Sequence, residues 1–308
     1  MPDGPRDRGA PDGRRGMSEV GPALVGRLIA KQFPQWADLS IREVGTAGTD
    51  NRIYRLGDEL VVRLPALPRA APMVGREWEW LPRLAPRLPL DVPVPLGAGV
   101  PDGEFPYPWS VYRWLDGDTL AAQPDVDLRD VAVRLGRFVA ALQRIDTAGA
   151  PRSPRAVPVG PGDVDVHESI ERLASVGLVD ADRAAAVWQD ALAAPSWAKP
   201  PVWLHGDLLP ANLVARQGRL RAVIDFGLAG TGDPATDLLP AWALLTARTR
   251  DVFRAVVGVD DATWRRGRGW ALRAGLGAVR VYRYTNPALA AAGRHALAEV
   301  LADHRVST

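Results

Sequence analysis

The 308-residue sequence predicts an α+β fold, with a small antiparallel-sheet part at the N-terminal end and a larger, mainly helical part at the C-terminal end. Three observations predict it. Short strand patterns and a hairpin signal cluster before residue 66, long stretches of helical period dominate after residue 128, and no internal repeat interrupts that order. Hydrophobic residues make up 47% and charged residues 24%, enough apolar material to bury a sizeable core.

The elements follow in order. Residues 1–16 (MPDGPRDRGAPDGRRG) hold Gly, Pro, Arg and Asp with no apolar centre, so they read as a disordered extension and not as a signal peptide, with Met17 as a candidate start. Val20, Leu24, Leu28, Ile29 and Phe33 follow helical spacing, and Pro34 ends that helix. Leu39–Val44 reads as a strand, residues 45–51 as a glycine-containing loop, and Ile53–Leu56 and Leu60–Leu64 as a hairpin turned by Gly57-Asp58-Glu59. Val74–Leu84 is helical with Pro82 as a local disturbance. Pro86–Pro108 reads as irregular, and Trp109–Leu115 as a buried strand. Leu128–Ile145, His167–Val176 and Ala181–Ala194 are helices. Val202–Leu204 is a short strand, and Leu213–Ala215 and Leu220–Ile224 flank a turn. Leu238–Thr246, Val252–Val257, Ala262–Tyr284 and Ala288–Asp303 complete the helical part. The expected organisation is an extension over 1–16, an N-terminal part with its hinge over 17–115, and a C-terminal part over 116–308.

Composition excludes several classes. Cysteine is absent, which removes disulfides, thiolate metal sites and a cysteine nucleophile, and fits a cytoplasmic location. The four histidines, at 167, 205, 295 and 304, lack metal-ligand spacing. A net charge of +2 is too balanced to argue for nucleic acid. No apolar run approaches the ~20 residues of a membrane span. Only Lys31 and Lys199 are lysines, so the arginine excess reflects coding bias more than function.

The chemistry-bearing stretch is Trp203–Leu228. It contains His205-Gly206-Asp207-Leu208, then Asn212, then Asp225-Phe226-Gly227. The pattern H-x-D-L-x-x-x-N followed by D-F-G is that of a phosphoryl-transfer site, with Gly206 where arginine often stands. Asp207 is the candidate base beside an attacking hydroxyl. Asn212 and Asp225 offer an amide oxygen and a carboxylate to Mg²⁺, which takes its remaining ligands from water and nucleotide phosphates. His205 reads as a brace for the loop. No G-x-x-x-x-G-K-[ST] occurs, so a P-loop is excluded. The loop 45–51, with Gly48, Thr49 and Asn51, is the candidate phosphate cover, an ordinary hairpin loop being the bland alternative. Arg63 on the third strand is the candidate phosphate cation, alternatively a solvent-facing strand end. Glu77 is its candidate partner, with Glu79 as competitor.

These residues resemble the aminoglycoside phosphotransferase family, a small-molecule branch of the protein-kinase-like fold. The resemblance rests on His205-Gly206-Asp207 through Asn212, Ile224-Asp225-Phe226-Gly227, and Gly232-Asp233-Pro234-Ala235 with Asp237-Leu238. Upstream it rests on Thr49-Asp50-Asn51, Tyr54-Arg55-Leu56-Gly57, Val61-Val62-Arg63-Leu64-Pro65, Trp80-Leu81-Pro82 and Pro93-Val94-Pro95. It implies a bilobal kinase-like fold binding ATP, or GTP in its place, with Mg²⁺. Backbone groups near Tyr112 and Trp114 would meet the base, and Asp233 and Asp237 would support the loop. It also implies a hydroxyl-bearing small-molecule acceptor; with the composition above, no nucleic-acid or membrane partner is expected, and the oligomeric state is left as monomer or dimer. The acceptor stays open. Asp163, Asp165, Glu168 and Glu171 suit a cationic aminoglycoside. The arginines from Arg265 to Arg294, with Trp242, Trp264 and Trp270, suit a neutral sugar-bearing compound such as a macrolide. A choline- or sugar-type metabolic kinase and an inactive nucleotide-binding module are the further alternatives.

Overall fold

The computed structural model describes residues 20–45, 50–122, 125–157, 160 and 163–307. The expected extension over 1–16 and the candidates Gly48 and Thr49 lie outside those residues. The chain divides into two compact units: residues up to Gly75 with Pro95–Trp114, and Arg76–Val94 with Leu115 onward.

The N-terminal unit is a five-stranded antiparallel sheet in the order β1-β2-β3-β5-β4. Its strands are β1 (Ile41–Glu43), β2 (Asn51–Leu56), β3 (Leu60–Pro65), β4 (Pro95–Gly99) and β5 (Trp109–Arg113). Helix α1 (Pro22–Gln32) lays Val25, Leu28 and Ile29 against Tyr54, Leu56, Val62, Leu64, Trp109 and Val111 of the sheet, all buried. Strand β4 corrects the expectation of an irregular Pro86–Pro108. Leu-Gly-Ala-Gly shows no strand pattern, because here the glycines make room for aromatic rings. A Cβ at Gly99 would lie 2.0 Å from the Trp109 indole, and Phe33 meets that ring edge-on at 5.3 Å. The sheet therefore exchanges β propensity for aromatic packing at its edge.

Helix α2 (Ala71–Leu84) runs through Pro82 without a break. Residue Asp91 then bonds to the C-terminal unit's small sheet: its N–H donates to Arg221 O at 3.0 Å, and it accepts from Val223 N–H at 2.9 Å. That sheet is β6 (Asp118–Thr119), β8 (Leu213–Arg216) and β9 (Arg219–Val223). A second pairs β7 (Val202–Leu204) with β10 (Gly230–Gly232). Strands β6 and β10 were not expected; two or three residues carry no readable period.

Helix α3 (Leu128–Gln143) begins at Asp127, whose side chain caps the N–H groups of Arg129 and Asp130, and buries Val131, Leu135, Phe138, Val139 and Leu142. Helices α4 (Asp163–Ala174), α5 (Ala181–Ala193), α7 (Ala247–Val257), α8 (Asp261–Tyr282) and α9 (Pro287–Ser307) complete the unit, with α8 packed on α5 and α9. The single helix expected over Leu238–Thr246 is instead a 3₁₀ turn, Pro234–Leu238, and a one-turn helix α6 (Pro240–Ala243). Pro240 supplies no N–H and so cannot continue the preceding turn. Among the described residues, no helix is long and apolar enough to cross a membrane.

Candidate active site

The candidate catalytic loop leaves β7 at Leu204, and three features fix it. Gly206 has φ +83, and a Cβ there would meet Leu228 O at 2.9 Å, so only glycine is comfortable at this point. Asp237, itself buried, receives the next two backbone donors: His205 N–H reaches Oδ2 at 2.6 Å and Gly206 N–H reaches Oδ1 at 2.8 Å. Burial pushes the Asp237 carboxyl up to about 6, raised further by the charge of Asp207 and opposed by these two N–H bonds.

His205 is fully buried, and its partners fix its tautomer. Nδ1 accepts the Asp207 N–H at 3.2 Å, and Nε2 faces the carbonyl of Ile224 at 3.0 Å, so Nε2 carries the proton. Burial lowers its pKa to about 4, against the opposing charge of Asp225 and the bond to Ile224. A neutral imidazole with both nitrogens engaged is a brace between the two motif segments, and the Phe226 ring packs on it edge-on at 4.6 Å.

Asn212 closes the loop. Its Nδ2 donates to the Asp207 carbonyl at 2.9 Å and to Asp207 Oδ2 at 3.0 Å. Both partners are acceptors, so the amide orientation is fixed, and its carbonyl oxygen is not used in either bond. The hairpin β8–β9 carries the chain from Asn212 to Asp225, and Ile224 N–H donates to Asn212 O at 2.9 Å. Asp225 has φ +66, a left-handed backbone that a non-glycine residue rarely adopts. Such a conformation persists only where the surroundings impose it, and it concentrates at functional sites.

The remaining candidates lie in two places. In the C-terminal unit Glu77 is buried, while Glu79 is exposed and pairs with Arg83 one helical turn on. In the N-terminal unit Arg63 lies on β3 opposite Ser110 of β5 and Ile53 of β2, with its guanidinium 5.7 Å from the Tyr112 ring. Asn51 opens β2 opposite Pro65, so it belongs to the strand and not to the loop before it. Arg55 stacks on Trp114 at 4.0 Å, and the Trp114 N–H donates to Glu59 O at 2.7 Å. That N–H is thus engaged within the unit.

The donor set suits Mg²⁺ bound largely through a nucleotide. Among the described residues no group of three or more His, Asp or Glu could hold a metal ion. Besides the candidate base Asp207, the segment offers a metal one carboxylate, Asp225, and one amide, Asn212. Mg²⁺ characteristically takes one or two protein oxygens and completes its shell with phosphate and water.

A family model described as the phosphotransferase enzyme family matches residues 40–270. The chain belongs to this family. It is an enzyme of the small-molecule O-phosphotransferase type. No curated protein matches it by sequence. Solved structures of phosphotransferases share its fold. The GDP and kanamycin complex of APH(2")-IIia is 22% identical, covering 91% of this chain and 98% of its own, with a TM-score of 0.69. The GDP complex of wild-type aminoglycoside 2'-phosphotransferase-IIIa is 22% identical over 92% and 99%, with a TM-score of 0.71. Macrolide 2'-phosphotransferase MphH from Brachybacterium faecium is 24% identical over 89% and 97%, with a TM-score of 0.61.

The sequence missed one structural consequence in this family member. Trp242 and Trp264 are buried and packed on each other at 4.7 Å, and Trp242 Nε1 donates to Asp303 at 3.1 Å. Neither indole can stack on an acceptor sugar. Arg265, Arg266 and Arg268 are likewise tied to Asp190, Asp233 and Asp303. Their positive charge is balanced inside the protein.

Proposed function

We propose that this phosphotransferase moves the γ-phosphate of ATP to a hydroxyl of an aminoglycoside-type antibiotic, in the cytoplasm and with Mg²⁺. The observation that carries the reaction is Asp207 held by Asn212 Nδ2 at 3.0 Å on a loop braced by His205 and Asp237. Asp207 orients the acceptor hydroxyl and takes its proton as the oxygen attacks phosphorus in line. The bond to the leaving nucleoside diphosphate breaks, and no phosphoenzyme forms. Asn212 and Asp225 hold Mg²⁺, which neutralises phosphate charge when bound. In the N-terminal part, over 17–115, Arg63 forks phosphate oxygens with Glu77 as its partner, and Gly48, Thr49 and Asn51 cover them. Backbone groups at Tyr112 and Trp114 meet the base. Residues 116–308 carry catalysis and the acceptor.

Two observations support a cationic acceptor. Asp165, Glu168 and Glu171 are exposed and fall on one face of α4. Of the arginines that argue against a cation at the sequence level, Arg265, Arg266 and Arg268 are paired with internal carboxylates. GTP is the alternative donor and a macrolide-like acceptor the alternative substrate, since a GDP complex of an aminoglycoside phosphotransferase and a macrolide phosphotransferase share the fold.

The test is a [γ-³²P]ATP transfer screen over aminoglycosides, macrolides, choline and simple sugars, with and without EDTA. Label should pass to an aminoglycoside and cease on chelation. Asp207→Asn should lose about 10²–10⁴-fold in kcat while still binding nucleotide. A variant retaining near-full kcat would overturn the role of Asp207. Nucleotide binding with no transfer to any acceptor would favour an inactive module.

A further inference from the structure

The loop between α3 and α4 is tied to the segment that follows Asp225-Phe226-Gly227. Ser153 N–H donates to Thr231 O at 3.1 Å, and Thr231 N–H donates to Pro151 O at 2.8 Å. Ser153 Oγ donates to Leu228 O at 2.8 Å and accepts the Arg155 N–H at 3.1 Å. These bonds set the backbone of Arg155, and its side chain extends toward the catalytic loop. Arg155 Nη2 lies 3.9 Å from Asp207 Oδ1, with the arginine side chain 51% exposed and the aspartate 24%. A long, half-exposed pair of this kind contributes little to folding. It does hold a guanidinium beside the carboxylate without locking it there.

The catalytic loop carries no cation of its own: Gly206 to Asn212 reads Gly-Asp-Leu-Leu-Pro-Ala-Asn. Phosphoryl transfer builds negative charge on the three equatorial oxygens of the moving group, and that charge needs a fixed positive partner. The acceptor oxygen must sit about 2.6–3.2 Å from Asp207, and the phosphorus bonds to that same oxygen. A guanidinium already 3.9 Å from the carboxylate is therefore within one side-chain adjustment of the phosphoryl oxygens, and its planar fork matches two of them.

We infer that Arg155 is a catalytic residue that contacts the transferring phosphoryl group, an arginine finger supplied in cis by the α3–α4 loop. The inference rests on the proposed phosphotransfer at Asp207. The acceptor O–P bond forms, the bond from phosphorus to the leaving nucleoside diphosphate breaks, and the hydroxyl proton passes to Asp207. Arg155 exchanges no proton and acts by charge.

The experiment compares wild type with Arg155→Ala and Arg155→Lys. Arg155→Ala should lose about 10²–10³-fold in kcat with the KM for ATP within about threefold, and guanidinium ion should restore part of the rate. Arg155→Lys should fall between the two, since a point charge replaces a fork. Independently of turnover, calorimetry should show unchanged binding of ADP but at least about tenfold weaker binding of ADP with aluminium fluoride and Mg²⁺, a mimic of the transition state. An Arg155→Ala kcat within about twofold of wild type overturns the inference, as does equal weakening of both ligands, which would mark a structural residue. Were wild type to transfer no phosphate to any acceptor, the reading of function would fail. The difference between the two calorimetric titrations would still decide Arg155.

Discussion

The segment from His205 to Asp237 and the helices from α6 to α9 both bury charge, and they stabilise it by different means. Around the catalytic loop the buried carboxyl of Asp237 is met by two backbone N–H groups. Among the helices, buried Arg250 bonds to Asp303 at 3.0 Å, to Glu299, and to the carbonyl of Ala241 at 2.9 Å. Arg268 there bridges Asp190 at 3.1 Å and Asp303 at 3.2 Å. The titration of the two regions follows. Burial raises Asp237 against the two backbone N–H bonds that it accepts. Burial also acts on Asp190, but the hydrogen bond and charge of Arg265 and the charge of Arg268 outweigh it and hold that carboxyl below its usual range. Backbone donors shape a loop, whereas arginine forks fasten helices.

The sharpest way to break this comparison is Arg250→Met. Removing one partner of a buried ionic cluster should cost about 3–5 kcal/mol in denaturant unfolding. The kcat of the folded fraction should stay within about twofold, because nothing at the catalytic loop is touched. A large kcat loss with unchanged stability would show that the two regions are not separable in this way.

Asp237→Asn should reverse the balance. It places an amide donor against a backbone N–H, costing about 1–3 kcal/mol in stability. Activity should fall well beyond what unfolding explains, because the loop carrying Asp207 loses its support. A variant with wild-type kcat would remove Asp237 from the positioning of that loop.

The same residue predicts a pH dependence. Its folded value of about 6 lies above the ordinary 3.8 of the unfolded chain. The folded state therefore holds the proton more tightly. The stability linked to this group is complete below 3.8 and is lost as pH rises through about 6. The melting temperature of wild type relative to Asp237→Asn should accordingly increase as pH falls from about 7 to about 4. Asp190, with a lowered value, works in the opposite sense: its contribution is lost as pH falls through its folded value. A flat difference between the two proteins would exclude titration of Asp237. The smallest expected effect is Asp127→Ala, which removes the cap of α3 and should cost about 1 kcal/mol without altering kcat.

What the sequence made legible follows the same division. Motif residues close in the chain were readable with their spacing: Asp207, Asn212 and Asp225 sit around a two-stranded hairpin whose apolar alternation is plain. Glu77 and Glu79, two positions apart on one helix, could be named as candidates but not told apart in burial: the first is buried and the second exposed. Contacts that join distant segments were not readable. Arg155 stands 52 positions before Asp207, in an arginine-rich chain where one more arginine carries no signal. The indoles of Trp242 and Trp264 could be counted but not placed, since core and surface aromatics look alike in one dimension. Strand β4 escaped because aromatic packing from Phe33 and Trp36, just past α1, and from Trp109 of β5 specifies it, and no local propensity does.

The hydroxyl of Ser153 links Leu228 to Arg155 through a single oxygen. A change as small as removal of that one atom would release the backbone from which the Arg155 side chain extends, while leaving every motif residue intact. Inactivating changes in this enzyme should therefore also arise at a position that a motif search would pass over.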